Sequence, residues 1–182
     1  MMKAADLPFD YNMCEILERN LENRADKTAL LSDYGTRTFR EVSDEVNKVG
    51  NALARLGLGF GECVAILSPD RPEWVSTFFA TAKIGGVALG MNTLLSVQEY
   101  DYILKDARVR VLVVYEKMLD LVKPILSNHH ILKKVIVIGD DQGTNYTTFK
   151  EWIQGEDTKL EAEQTHRDDF CSLHYSSGTT GM

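Results

Sequence analysis

Two glycines and four hydroxyl-bearing side chains fall within six consecutive residues near the end of the sequence, directly after a run typical of a β-strand. The six are Ser176, Ser177, Gly178, Thr179, Thr180 and Gly181. Glycine lets backbone N–H groups turn toward an anion, and serine and threonine hydroxyls add short donors to phosphate oxygens. These residues are therefore candidates for binding a di- or triphosphate, although the segment lacks the lysine and spacing of the Walker pattern. The same composition is also typical of a flexible terminus.

Other clusters that resemble functional motifs favour structural interpretations. The glycines of residues 57–61 precede a predicted strand instead of following one, which indicates a helix-to-strand turn and not a dinucleotide-binding loop. Cys171 and His174 lie three residues apart on a predicted strand, hence on opposite faces, which disfavours a metal site. His129 and His130 are expected to form a solvated pair or to interact with a helix C-terminus. No Gly-x-Ser-x-Gly elbow is present, which disfavours a serine hydrolase.

The elements that would position the hydroxyl-rich segment are predicted by an alternation of short apolar runs and helical patterns. The predicted strands are 63–67, 87–90, 110–115, 134–138 and 171–175. Nearly continuous apolar character is typical of strands that are covered on both faces of a parallel sheet. The sequence therefore predicts an α/β fold with a doubly wound, mainly parallel sheet. A helix near 13–21 and a hairpin of 28–32 with 36–39 are expected before it.

Five helix starts are predicted from a polar residue with a glutamate three residues later, which is the spacing of a capping box. The pairs are Asn12–Glu15, Thr38–Glu41, Asp70–Glu73, Ser96–Glu99 and Thr148–Glu151. In the second of these helices, apolar residues recur every three or four positions from Phe39 to Leu56. This spacing predicts one buried stripe and leaves charged residues such as Glu45 for water.

Composition bounds the class of protein. The 182 residues are 44% hydrophobic and 26% charged, as in an average globular domain. A net charge of −7 argues against a nucleic-acid or anionic-membrane partner. Cys14, Cys63 and Cys171 are too widely spaced for a disulfide framework, and the first residues lack the apolar core of a signal peptide. A cytoplasmic location is therefore expected.

The last segment, Tyr-Ser-Ser-Gly-Thr-Thr-Gly-Met, closely resembles the phosphate-loop signature of the adenylate-forming (AMP-dependent synthetase and ligase) enzymes. These include acyl-CoA and aryl-CoA synthetases, luciferases and peptide-synthetase adenylation domains. Residues 38–42 resemble an early helix start of the same family, and residues 82–88 resemble its Lys-x-Gly segment. Residues 92–95, followed by the Tyr-x-Tyr-x-Leu-x-Asp pattern of residues 100–106, are most similar to the benzoate-CoA and aryl-CoA ligase branch.

The resemblance implies an enzyme that uses ATP and Mg²⁺ to activate a carboxylic acid as an acyl-AMP and then transfers the acyl group to CoA. The six hydroxyl and glycine residues would bind the β- and γ-phosphates of ATP. In the family the motif continues with Pro-Lys-Gly, and the magnesium and ribose ligands and the catalytic lysine follow later. Residues 1–182 are therefore expected to form a single incomplete domain, the N-terminal part of the AMP-binding domain, without catalytic or metal-ligating residues. This chain by itself is expected to be inactive.

Two alternatives stay open at this point. One is a naturally short, non-catalytic protein that binds a nucleotide or a partner, and the other is a luciferase-like or peptide-synthetase branch of the family. The expected substrate is a small carboxylic acid. Because the later layers of the family's fold would be absent, the fragment is expected to expose an apolar face and to self-associate through it. Residues 176–182 are expected to be the most mobile segment.

Overall fold

The fold begins with two short helices and a hairpin and continues with alternating strands and helices. The computed structural model describes residues 6–140 and 146–176. The helices are α1 (Glu15–Glu18), α2 (Leu21–Arg24), α3 (Phe39–Arg55), α4 (Pro72–Lys83), α5 (Val97–Asp106), α6 (Glu116–Val122) and α7 (Phe149–Trp152), with a 3₁₀ helix at Lys123–Asn128. The strands are β1 (Thr28–Ser32), β2 (Gly35–Thr38), β3 (Cys63–Leu67), β4 (Val87–Gly90), β5 (Val111–Tyr115), β6 (Lys134–Ile138), β7 (Thr147–Thr148) and β8 (Ser172–Leu173). Within the described ranges, no helix has the length and apolar character needed to cross a membrane.

Six strands form one sheet in the order β7-β6-β5-β3-β4-β8, and all neighbouring pairs are parallel. Strands β1 and β2 form a separate antiparallel hairpin. Three predicted strands have the observed bounds, namely 63–67 (β3), 87–90 (β4) and 134–138 (β6). Strand β8 is shorter than the predicted 171–175, because it lies at the sheet edge and pairs with β4 through Ser172 and Leu173 alone among the described residues.

Alternate side chains of β5 enter two separate cores. Val111 and Val113 pack in the core that contains α3, α4 and α7, whereas Leu112 and Val114 pack in the core that contains α5 and α6. All four side chains are fully buried, and burial of each contributes roughly 1.5–3 kcal/mol. Helices therefore cover both faces of the sheet, and the predicted doubly wound α/β fold is confirmed.

Helix α3 begins at a capping box and packs against α4. Thr38 Oγ1 accepts from the backbone N–H of Glu41 at 3.2 Å, and Glu41 Oε2 accepts from the N–H of Thr38 at 2.7 Å. The predicted buried stripe is confirmed at Val42, Val46, Val49 and Leu53. Glu45, predicted to face water, is instead partly buried, and the hydroxyl of Ser76 on α4 donates to its Oε1 at 2.5 Å. The prediction was wrong because α4 covers this side of α3.

Of the other predicted capping boxes, two are confirmed at α5 and α7, and the one at α4 is wrong. The boxes Ser96–Glu99 at α5 and Thr148–Glu151 at α7 are confirmed. Helix α4 starts one residue later than predicted, because Pro72 occupies its first position, to which the fixed φ of proline is suited. Its N-cap is therefore Arg71 and not Asp70, and Glu73 pairs with Arg71 Nε at 3.3 Å instead of closing a box.

The single helix predicted near 13–21 is divided into α1 and α2. The side-chain amide of Asn20 donates to the carbonyls of Ile16 and Leu17 at 2.9 and 3.3 Å. Asparagine competes in this way with the backbone for helical hydrogen bonds, so the chain turns between two one-turn helices.

Asn12 ties the N-terminal region to the end of α4 and does not form its predicted box with Glu15. Its Oδ1 accepts from the N–H of Cys14 at 2.9 Å. Its Nδ2 donates to the carbonyls of Ala82 and Lys83 at 3.1 and 3.2 Å. The side chain therefore satisfies carbonyl groups at a helix C-terminus, where four are left without partners inside the helix.

Candidate functional site

The carboxyl ends of β3, β4, β5 and β8 lie along one edge of the sheet, and parallel α/β sheets bind their ligands at this edge. Strand β8 leads there into Tyr175 and Ser176. Ser176, the first of the six predicted phosphate-binding residues, is exposed. The other five, Ser177, Gly178, Thr179, Thr180 and Gly181, lie outside the described residues. Of the segment 176–182, whose mobility was predicted, all residues except Ser176 lie outside them as well.

The side chain of Tyr175 contacts the C-terminal end of α5. The phenol O–H of Tyr175 donates to Oδ2 of Asp106 at 2.5 Å. The ring of Tyr102, one helical turn earlier, meets the Tyr175 ring edge-on, with centroids 6.4 Å apart and an interplanar angle of 89°. Burial, followed by the hydrogen bond to Asp106, raises the pKa of Tyr175 above its ordinary value, so the phenol remains a neutral donor near pH 7.

The carboxyl end of β4 packs closely beneath an aromatic pair on α4. A Cβ atom at Gly90 would lie 2.9 Å from Cζ2 of Trp74, so no larger side chain fits there without displacing the indole. Trp74 stacks on Phe78, with centroids 5.2 Å apart and an interplanar angle of 10°. The strand beside β8 therefore ends against a rigid aromatic surface.

Arg71, between β3 and α4, is held between two aromatic rings. Its guanidinium carbon lies 4.0 Å from the ring centroid of Tyr34 and 4.9 Å from that of Tyr115, at the end of β5. Each contact of this kind contributes about 0.5–2 kcal/mol. Arg71 also pairs with Glu73 at 3.3 Å. Its side chain therefore connects the hairpin turn to the sheet.

A cavity of about 330 Å³ lies at the opposite, amino edge of the sheet. It is lined by Gly85 just before β4, by Phe170 and Cys171 just before β8, and by Tyr11 from the N-terminal segment. The length of β8 separates this cavity from Ser176, so the cavity is not part of the candidate site.

The N-terminal segment closes the amino edge by pairing with residues that precede β8. The N–H of Tyr11 donates to the carbonyl of Thr165 at 2.9 Å, and the Thr165 hydroxyl donates to the carbonyl of Tyr11 at 2.9 Å. The N–H of Arg167 donates to the carbonyl of Phe9 at 2.9 Å, and its guanidinium lies 4.3 Å from the Phe9 ring centroid. The start of β8 is therefore held by a segment from the other end of the described chain.

Two sequence interpretations have clear structural outcomes. The predicted helix-to-strand turn is confirmed, because Gly57 and Gly61 take φ values of +71° and +75° between α3 and β3. The solvated-pair interpretation is wrong for His129, which is 9% exposed and places Nε2 2.9 Å from Oδ1 of Asp101 on α5, whereas His130 is exposed. No local pattern could have indicated this contact, since 28 residues separate its partners.

The sequence singled out both partners of the Tyr175 contact but not the contact itself. Tyr175 opens the phosphate-loop-like segment, and Tyr102 and Asp106 belong to the Tyr-x-Tyr-x-Leu-x-Asp pattern. Asp106 precedes Tyr175 by 69 residues. Only the sheet order, which places β8 beyond β4, brings the two patterns together.

Comparison with known proteins identifies the family. A family model described as AMP-binding enzyme matches residues 17–182. The chain belongs to the AMP-binding enzyme family. The resemblance inferred from the hydroxyl-rich segment is thereby confirmed.

Three similar members of the AMP-binding family are CoA ligases. A 3-hydroxybenzoate–CoA/4-hydroxybenzoate–CoA ligase of Thauera aromatica is 34% identical over 182 residues, which cover 99% of this chain and 33% of the relative. A benzoate–CoA ligase of the same organism is 34% identical over 98% of this chain and 34% of its own length. The crystal structure of the anthranilate CoA ligase AuaEII in complex with anthranoyl-AMP is 53% identical, with a TM-score of 0.95, over 99% of this chain and 35% of that one. The chain thus spans about a third of the length of the relatives it matches.

Proposed function

We propose that this chain forms the N-terminal part of the AMP-binding domain of an aryl- or acyl-CoA ligase. The observation that carries the proposal is the 53% identity and 0.95 TM-score to an anthranilate CoA ligase solved with anthranoyl-AMP, an aromatic acid joined to AMP. The relatives reported above are CoA ligases and not luciferases or peptide-synthetase domains, which favours the ligase branch. The proposed substrate is a small carboxylic acid, with aromatic acids first.

The proposed reaction has two steps. A carboxylate oxygen attacks the α-phosphorus of ATP, and pyrophosphate leaves as the acyl-AMP forms. The thiol of CoA then attacks the acyl carbonyl, and AMP leaves as the thioester forms. The first step is needed because a carboxylate is a poor electrophile and AMP is a good leaving group.

The proposed contribution of this chain is to bind the phosphates that become pyrophosphate. The residues are Ser176, Ser177, Gly178, Thr179, Thr180 and Gly181. Backbone N–H groups and hydroxyls would stabilise the negative charge that moves onto pyrophosphate as the bond to the α-phosphorus breaks. The position of Ser176 at the carboxyl edge of the sheet supports this assignment.

Magnesium enters the proposal through the family resemblance. In residues 6–140 and 146–176, no group of three or more His, Cys, Asp or Glu side chains is arranged to hold a metal ion. By the family resemblance, the magnesium ligands are proposed to lie in parts of the enzyme that follow this chain.

The test of the proposed function uses the longer enzyme that contains this chain. It is incubated with ATP, Mg²⁺ and CoA and with benzoate, hydroxybenzoates, anthranilate and fatty acids, and the products are identified by mass spectrometry. We expect an acyl-CoA, AMP and pyrophosphate with at least one acid. ATP binding without any of these products would support a non-catalytic nucleotide-binding protein instead.

We further propose that residues 1–182 alone do not form an acyl-adenylate. Adenylation requires the carboxylate and the α-phosphorus to be held in line while developing charge is neutralised. The chain covers about a third of its relatives, and by resemblance the loop lysine and the acyl and ribose sites follow later. We expect no ATP–pyrophosphate exchange above background with the same acids. Exchange that Thr179→Ala or Thr180→Ala abolishes would contradict this expectation.

The open edge of the sheet is the proposed self-association face of the 182-residue chain. Phe9, Phe170 and Leu173 are 64%, 83% and 37% exposed and lie near the edge strand β8. Exposed apolar groups around an edge strand favour association.

We also propose a cytoplasmic location. It is supported by three free cysteines, of which Cys14 and Cys63 are buried.

A further inference from the structure

Tyr175 lies at the junction between β8 and the phosphate-binding segment, and its side chain contacts the C-terminal end of α5. Strand β8 pairs with β4 over two residues, through Ser172 and Leu173. Two residues after that pairing ends, the phenol of Tyr175 donates to Asp106 at 2.5 Å. Tyr175 is therefore the side chain that fixes the backbone immediately before Ser176.

The end of α5 that carries Asp106 is itself well fixed. Leu104, two residues before Asp106, is 1% exposed in the core beneath the sheet. The N–H of Val109 returns to the carbonyl of Leu104 at 3.1 Å, and Arg108 takes a positive φ of 50°, which together terminate the helix with a left-handed residue. The acceptor of the Tyr175 hydrogen bond thus belongs to a rigid helix end packed on the sheet.

The hydrogen bond joins two rigid parts of the fold across 69 residues of sequence. A neutral phenol that donates to a carboxylate forms a short, charge-assisted hydrogen bond, which also fixes direction. The edge-on ring of Tyr102 restricts the Tyr175 ring from one side. These contacts leave little freedom for the point at which the phosphate-binding segment begins.

We propose that Tyr175 is a positioning residue for ATP. Through its hydrogen bond to Asp106, Tyr175 fixes where the phosphate-binding segment leaves the sheet. The inference rests on the proposed function. Displacement of a phosphate-binding segment by about 1 Å is enough to weaken its contacts with the bound nucleotide. Because the segment that follows Tyr175 is the proposed phosphate-binding segment, we expect the effect to fall on ATP.

The test compares five variants of the longer enzyme that contains this chain. They are Tyr175→Phe, Asp106→Ala, Asp106→Asn, the double variant of the first two, and Tyr102→Phe as the matched control. The control removes a phenol hydroxyl from the same contact but keeps its ring against Tyr175. Steady-state KM values for ATP, acid and CoA are measured, together with the Kd for ATP by calorimetry without acid and thermal unfolding of each variant.

We expect Tyr175→Phe and Asp106→Ala each to raise the KM and Kd for ATP by about fivefold to tenfold, from the loss of one charge-assisted hydrogen bond. The KM values for acid and CoA should change by less than twofold. The double variant should be no worse than either single variant, and Asp106→Asn, which keeps an acceptor oxygen, should recover most of the affinity. Tyr102→Phe should resemble the wild type.

Three results would overturn the inference. One is an unchanged KM and Kd for ATP in both single variants, and another is an equal rise in all three KM values, which would indicate a general structural defect. The third is an additive loss in the double variant, because it would show that the two side chains do not act through one bond. If the wild-type enzyme binds ATP but makes no acyl-CoA, the proposed function fails. If the wild type is active and the variants keep its KM and Kd for ATP, only the positioning role is refuted. If Tyr175→Phe does not fold, Asp106→Ala and Asp106→Asn decide the matter.

Discussion

Glu45 is a carboxyl group whose protonation is coupled to folding. Burial between α3 and α4, together with the nearby charge of Glu73, raises its pKa above the ordinary 4.5, although the hydrogen bond from Ser76 acts in the opposite direction. The folded state therefore binds this proton more tightly than the unfolded state does. The resulting stabilisation is present below pH 4.5 and is lost as the pH rises through the folded-state pKa.

We expect Glu45→Gln to remove this pH dependence, because glutamine stays neutral and still offers Ser76 an acceptor oxygen. The variant should gain stability relative to the wild type as the pH rises from 4 to 7. Urea unfolding at a series of pH values measures the difference in the free energy of unfolding between the two proteins. Glu41 and Glu99, whose pKa values are lowered, contribute equally to both proteins and therefore cancel in this difference. A difference that does not change with pH would show that Glu45 is not desolvated by folding.

Residue contacts were the least predictable level of this structure. The pairs Tyr175–Asp106, His129–Asp101 and Ser76–Glu45 join residues 69, 28 and 31 positions apart. Each depends on which elements become neighbours, and periodicity along one element carries no information about that.

At the scale of the element, capping geometry separates two starts that look alike in sequence. The pair Thr38–Glu41 closes a box at α3, whereas Asp70–Glu73 does not, because Pro72 moves the start of α4. Three interior strands, β3, β4 and β6, were predicted with their bounds because burial on both faces gives an unbroken apolar run. The bounds of the edge strand β8 were not predicted, because they depend on its pairing with β4. The bounds of the helices near Asn20 were not predicted either, because the Asn20 side chain competes for helical hydrogen bonds.

Thr38→Ala should destabilise the chain by about 1 kcal/mol, because α3 loses the acceptor for one of its unpaired N–H groups. Asp70→Ala is the matched control, since Asp70 is exposed and has the same spacing to a glutamate without capping a helix. It should change stability by less than about 0.5 kcal/mol. Equal effects of the two substitutions in urea unfolding would contradict the assignment of the N-caps.

At the scale of the whole molecule, the two faces of the sheet are covered but its β8 edge is not covered by another strand of the described chain. The architecture, and the location of the candidate phosphate-binding segment after the last predicted strand, followed from the sequence alone, whereas the position of that strand at the sheet edge is seen only in the structure. The family resemblance predicted an exposed apolar face but gave no position for it in the fold.

We expect the 182-residue chain to self-associate, and Phe170→Asp to shift it toward the monomer in sedimentation velocity experiments. Leu31→Asp is the matched control, because Leu31 is also 83% exposed but lies on the separate hairpin. It should leave the association unchanged. A wild-type chain that stays monomeric at high concentration would contradict the proposal.

The pairing of the N-terminal segment with residues before β8 has a consequence for biosynthesis. Tyr11 leaves the ribosome early, but its partner Thr165 is made 154 residues later. At about 5–20 residues per second, the segment waits on the order of ten seconds or more for that partner. We therefore expect β8 and the residues that follow it to be the last described part of the nascent chain to reach their final position, after the interior strands have already assembled.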